Sequence, residues 1–259
     1  MPRTSLATPG SRGFRALRIG PISVLIDPSW FVWLAVIAAS AQDWLLHAGF
    51  SRSAAVRWEA GVALALLVSA CVLLHELAHS LVALSYGLRV RTITLFLFGG
   101  VSHIEREAPT ATIEYQIALI GPLTSLVLAT IFGAIARAGD HRSTLGGAWG
   151  FASWVNLVLA VFNLLPAFPM DGGRVLRSIL WAIRRNRARA THLAAIAARV
   201  IAVIMIVAAA AGFVFGLVQR NADVGYVWVA GIGVFLYNAS STAERSEGGD
   251  VPNRNDGRG

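Results

Sequence analysis

The sequence predicts an all-helical membrane protein: six transmembrane helices with a small membrane-embedded β-hairpin or extended segment after the second. Three observations carry this prediction. Apolar residues make up 56% of the 259-residue chain and charged ones only 14%, with mean hydropathy +0.62, as in a chain solvated largely by lipid. Apolar stretches of about 20 residues, the length that crosses hydrocarbon, recur near 28–46, 58–86, 113–136, 148–168, 193–218 and 225–239. With the N-terminus inside, those six spans leave sixteen arginines on the inner side and five on the outer. Cytoplasmic loops carry that excess, so both termini are expected in the cytoplasm and the chain in the plasma membrane.

The net charge of +8 comes from arginine alone, since the chain has no lysine. The run "RRNRAR" at 184–189 could be a nucleic-acid patch, but the inside bias accounts for it and no nucleic-acid partner is expected. An arginine-only basic set is compatible with a GC-rich bacterial genome. Cys71 is the sole cysteine, which excludes an intrachain disulfide and a thiolate metal cluster; it reads as a small buried hydrophobe.

Taken in order, residues 1–16 are Ser/Thr/Pro/Gly/Arg-rich and expected to be disordered. No cleavable signal peptide is expected, because the first apolar run leads into a span without a small-residue cleavage site. "LRIGPISVLI" (17–26) has β-branched residues and a Gly-Pro break, the pattern of a short extended segment or hairpin. Pro28 opens the first span, with Trp30 and Trp33 suited to the interface. The second span ends at Gly87, a C-cap residue. "VRTITLFLFGGVSHIE" (90–105) is β-rich and broken at Gly99-Gly100. Non-helical backbone at membrane depth needs protein or an aqueous cavity to satisfy it, so this strand pair is expected beside the second span. Gly121-Pro122 should kink the third span. The fourth ends in "NLLPAFPMDGGRVLRS" (163–178), where Asp171-Gly172-Gly173 reads as a tight turn. Spans five and six carry no chemical signal, and 241–259 reads as a disordered tail. One polytopic domain, 17–240, is expected, with its catalytic core at about 17–180.

The chemistry lies in "CVLLHELAHSLVAL" (71–84). Ionisable groups inside a membrane span are costly and mark function. HExxH on a helix puts His75 and His79 on one face, able to share a zinc ion, with Glu76 able to reach a water without ligating. Catalytic zinc takes three protein ligands and keeps one open position. Asp171 is the candidate third ligand: by the span count it lies at the cytoplasmic end of span four, at the depth of His79 near the cytoplasmic end of span two. Its alternative is an ordinary Asp-Gly turn residue.

These residues resemble the site-2 protease family of intramembrane zinc metalloproteases. The likeness rests on "HELAH" with "NLLPAFPMDGG" downstream, together with "IDPSW" (26–30), "FGG" (98–100) and "GPLTS" (121–125). It implies His75, His79 and Asp171 as ligands of one Zn2+ and Glu76 as catalytic acid/base. It also implies that Asn163 positions substrate or stabilises the oxyanion, and that the segment around Gly99 and Gly100 lines the substrate path. Relatives often have histidine where Asp27 stands and asparagine where Ser125 stands, so neither position receives a role. The PDZ and CBS domains of many relatives do not fit in this chain, and gating by peptide or nucleotide is not expected. The implied substrate is a single-span membrane protein within the bilayer, such as an anti-sigma factor cut in regulated intramembrane proteolysis. Two other classes compete. A metal transporter would need further ligands along a path, and His47, His103, His141 and His192 form no second cluster in the sequence. A catalytically idle binder of membrane helices would have no need of the full set of catalytic residue types.

Overall fold

The computed structural model describes residues 13–47, 49, 53–97, 99–139, 144–218 and 225–248. In chain order these form β1 (Phe14–Ile19), β2 (Ile22–Ile26), α1 (Trp30–His47), α2 (Ala54–Ser85), β3 (Val90–Phe96), β4 (Gly99–Ile104), α3 (Ala111–Ala138), α4 (Thr144–Asn163), α5 (Asp171–Arg184), α6 (Arg187–Val218) and α7 (Gly225–Gly248). The chain divides into two compact units, Met1–Ala108 with Ile120–Val161 and Pro109–Leu119 with Phe162–Gly259.

The first unit holds a four-stranded sheet in the order β1-β2-β3-β4. The two extended segments expected as separate pieces are joined, because β2 pairs with β3 in parallel, from Ser23↔Thr92 to Ile26↔Leu95. Parallel strands need a long crossover, and α1 with α2 supplies it. Ile22, Val24, Ile93 and Leu95 bury the sheet's apolar positions. β1 begins at Phe14, inside the segment expected to lack structure, because its backbone pairs with β2 from Phe14↔Ile26 onward. Residues 1–12 and 249–259, where the rest of the expected disorder falls, lie outside the described residues.

Asp27, which received no role, lies at the turn that leads into α1. Its Oδ1 accepts from Ser29 N (2.9 Å) and Ser29 Oγ (2.6 Å), while its own N–H donates to Leu95 O at 2.9 Å. Capping of this kind stabilises a helix start by about 1 kcal/mol, and here it also fastens α1 to the end of β3. α1 and α2 approach closely because position 61 is glycine; a Cβ there would stand 2.6 Å from Ala38 O. Leu45, Leu64, Val68 and Phe151 form a shared core of α1, α2 and α4. Gly87 ends α2 at φ +76, with Leu88 N–H donating to Ala83 O and Gly87 N–H to Leu84 O. That is the Schellman arrangement. α3 continues through Pro122, so the expected kink site does not end the helix.

In the second unit, Asp171-Gly172-Gly173 is the first turn of α5, which corrects the expected tight turn. Aspartate is stabilised at a helix N-terminus by the backbone dipole. The two glycines permit a helix start packed on its own preceding loop: a Cβ at Gly172 would lie 2.3 Å from Leu164 O, and one at Gly173 2.8 Å from Phe168 N. α6 and α7 pack through small residues, with Ala198, Ala202 and Leu236 buried against Ala167. α7 runs to Gly248, past the expected boundary at 240. Glu244 accounts for this, since it binds His192 and Arg199 of α6.

Among the described residues, four helices are long and apolar enough to cross a membrane: Ala54–Ser85, Ala111–Ala138, Leu145–Asn163 and Arg187–Val218. The other two expected spans are helical but fall short among the described residues. α1 has 18 residues and carries Gln42, Asp43 and His47 in its last turns. α7 places Asn238, Ser240, Ser241 and Glu244 in its C-terminal half.

Candidate metal centre

His75 and His79 stand one turn apart on α2, where side chains at i and i+4 share a face. Both are buried, and their Nε2 atoms are 3.1 Å apart. Two imidazoles on a tetrahedral zinc, with Zn–N of 2.0–2.1 Å, place their nitrogens about 3.3–3.4 Å apart, so the pair is spaced for one ion. For Nε2 of His75 to bind metal, Nδ1 must carry the proton. It then donates to Ser125 Oγ at 2.9 Å, the outer contact that fixes ring and tautomer of a metal-binding histidine.

Gly121 makes room for the rings. A Cβ there would stand 2.1 Å from His79 Nε2 and 2.7 Å from His75 Nε2. Gly121 and Ser125 are themselves one turn apart on α3, so "GPLTS" presents a gap and a hydroxyl to the same two histidines. Neither was assigned from the sequence. The signal available was their i, i+4 spacing, which places both on whichever face of α3 meets α2.

Glu76 follows His75 and is half-buried. Strand β4 lies against it: a Cβ at Gly100 would come within 2.6 Å of Glu76 Cγ, and Ser102 Oγ donates to Glu76 Oε2 at 2.7 Å. Gly99 has φ +118, a conformation open to glycine, and a Cβ there would stand 3.9 Å from Val72 Cγ1 of α2. Ser102 was also missed in the sequence; its signal is the strand period of two, which puts it on the face of Gly100.

Asp171 is the half-buried first residue of α5. Ligand atoms of His75, His79 and Asp171 all lie within 4.8 Å of one another, the one such group among the described residues. Two imidazole nitrogens and a carboxylate oxygen make a three-ligand donor set that fits catalytic zinc with a position left over. Asn163 is half-buried at the last residue of α4, eight residues before Asp171. His47 bonds Asp43 O and His192 pairs with Glu244, whereas His141 lies outside the described residues.

Within the second unit, Arg177 pairs with Glu114, which is 1% exposed. Its guanidinium sits 5.4 Å over the Phe168 ring. This pair ties α5, six residues after Asp171, to the first turns of α3 and to the loop before α5. Its signal in the sequence was weak, because an arginine inside an arginine-rich stretch reads first as a topology signal.

A long apolar helix with a buried HExxH, a glycine gap opposite it and a nearby aspartate defines a membrane-embedded metallopeptidase-type centre. The comparisons with known proteins agree. Residues 63–141 and 134–208 match the model of peptidase family M50, more than half of the chain, and the protein belongs to that family. It is 43% identical over 195 residues to Rip3 of Mycobacterium tuberculosis, assigned as a zinc metalloprotease, covering 74% of this chain and 48% of the relative. A Synechocystis protein with the same assignment is 36% identical over 240 residues, 89% of this chain and 60% of its own length. The chain thus spans about half the length of the curated relatives it matches. The solved site-2 protease from Methanocaldococcus jannaschii aligns with a TM-score of 0.59 at 29% identity, over 90% of this chain and 95% of that one.

Proposed function

We propose that the protein is an intramembrane zinc metalloprotease that hydrolyses a peptide bond within or next to a transmembrane segment of a membrane protein. The observation that carries this reading is the buried His75–His79 pair, spaced for one zinc ion on a helix long enough to cross a membrane. His75, His79 and Asp171 would hold the ion. Bound zinc supplies Lewis-acid polarisation of the scissile carbonyl and lowers the pKa of water. Glu76 takes the proton of the attacking water and returns it to the leaving amine. The Asn163 amide is the candidate donor to the developing oxyanion.

A helical peptide bond is covered by its own hydrogen bonds, so the substrate span must unwind before cleavage. Strand β4 stands at the edge of the sheet, and Gly99 and Gly100 lie on it beside Glu76. An unwound chain adding to that edge would satisfy its backbone groups there. A membrane path for metal would require a second ligand cluster, and the described residues hold none; this favours the protease over a transporter. The proposed topology has six spans, α1 to α4 with α6 and α7, and both termini in the cytoplasm of a bacterial plasma membrane. The proposed physiological substrate is a single-span signalling protein.

Glu76→Gln tests the reading, with detergent-purified protein and a substrate of one transmembrane segment bearing a central Gly-Pro pair. Zinc should remain bound in wild-type amount while cleavage disappears. Undiminished cleavage by this variant would sink the proposal.

A further inference from the structure

We propose that Ser102 is a positioning residue for Glu76, holding the carboxylate in the orientation that proton transfer requires. The inference rests on the reading of Glu76 as general acid/base. A glutamate side chain has three rotatable bonds, so a helix alone does not aim its carboxylate. Here two residues of one strand face constrain it. Gly100 lets the strand backbone close on Glu76 Cγ, where a Cβ would sit at 2.6 Å. Two residues on, Ser102 Oγ donates to Oε2 at 2.7 Å, so one carboxylate oxygen is anchored and the other is left for the reacting water.

The anchor is itself held. Ser80, one turn after Glu76, donates to the Glu76 backbone carbonyl at 2.8 Å and lies 3.2 Å from Ser102 Oγ. The height of Ser102 along α2 follows from the sheet, in which Ile93↔Ser102 and Leu95↔Gly100 are paired. A slip of one residue would turn Val101 or His103 toward Glu76 instead. The edge strand therefore has a second task besides any contact with substrate: it aims the acid/base.

Ser102→Thr and Ser102→Val separate the hydroxyl from the shape, since the two side chains are near-isosteric and both suit a strand. With the same Gly-Pro substrate, Ser102→Val should lower kcat about 10- to 100-fold, the usual size of an outer-contact loss. KM should stay within about twofold and bound zinc should be unchanged, while Ser102→Thr recovers most of kcat. Ser102→Ala gives the same reading should the valine variant not fold. Equal kcat for the valine and threonine variants, or a loss confined to KM, overturns the positioning role. If Glu76→Gln is inactive in that experiment, the acid/base reading stands and Ser102 alone falls. If Glu76→Gln cleaves normally, the reading beneath it fails.

Discussion

Helices α2 and α6 have the same length, 32 residues, and both qualify to cross a membrane, yet one buries two imidazoles and the other none. The difference lies in what surrounds them. In the most apolar window of each, 44% of α2 is buried by protein against 17% of α6. Buried positions on α2 include Ser69, His75, His79 and Ser80; those on α6 are alanines, one glycine and Thr191. α6 turns Val203, Ile204, Val207, Val214 and Phe215 outward, while His192 and Arg199, which bind Glu244, stay near its start. Polar atoms are costly in lipid unless protein supplies their partners. An apolar helix can hold imidazoles and hydroxyls where other elements wrap it.

If wrapping makes the difference, changing the wrap should hurt more than changing α2's own apolar residues. Gly121→Ala is the largest case. Alanine favours a helix interior over glycine by about 1 kcal/mol, so α3 should remain formed. The added Cβ cannot coexist with His79 Nε2 at 2.1 Å, and the ring must leave its place. Bound zinc, read by elemental analysis of purified protein, should fall about tenfold or more, and retention of the full complement would show that the gap is dispensable. Next comes Ser125→Ala, which removes the hydrogen-bond partner of His75 Nδ1 and leaves the ring's space intact. Zinc affinity, measured by competition with a chelator, should weaken about 10- to 100-fold, and an unchanged affinity would separate Ser125 from the site.

The smallest effect belongs to α6. The hydrogen bond from His192, with Arg199 beside it, holds the Glu244 carboxyl below its ordinary value of 4.5. A depressed carboxylate contributes stability that is full above the unfolded pKa and is lost as pH falls through the folded one. The α6–α7 clasp should therefore hold at neutral pH and loosen only below about pH 4.5, in the carboxylate range. Hydrogen exchange of the C-terminal turns of α7 should report this in the wild type, and Glu244→Gln should remove that acid-dependent step. An equal step in both would place the titrating group elsewhere.

Much of this was legible in the sequence because it is local. HELAH needs only the helical period to put two imidazoles on one face, and Gly87 after a long apolar run marks a helix end. The strand pair within 90–105 follows from composition and the glycine pair. What was not legible depends on distant partners. Nothing in "LRIGPISVLI" states that Ser23 will pair with Thr92, because register between strands separated by two helices is set by packing. Ser102 and Ser125 are common residues whose meaning comes from what they face, Glu76 and His75. Asp171-Gly172-Gly173 misled for a chemical reason: the residues that favour a turn also favour a helix start with a close approach, and only the preceding loop decides between them. Of the six expected spans, four are long and apolar enough among the described residues, and the polar last turns of α1 and α7 set the other two apart.

The parallel pairing of β2 with β3 carries a consequence for how the site is assembled. Ser23 and Thr92 meet only after α1 and α2 between them are in place, so the sheet cannot be completed early in synthesis, and long closures of this kind are late steps in folding. β3 and β4 can form their hairpin locally, but β3 gains its second neighbour only from residues 22–26. Residues 22–26, far in sequence from His75, thus set the footing of the strand that faces Glu76. Backbone hydrogen bonds across three strands link the N-terminal hairpin to the strand that faces the Glu76 carboxylate, so the sheet beside it is complete only once the first-synthesised segment has found its place.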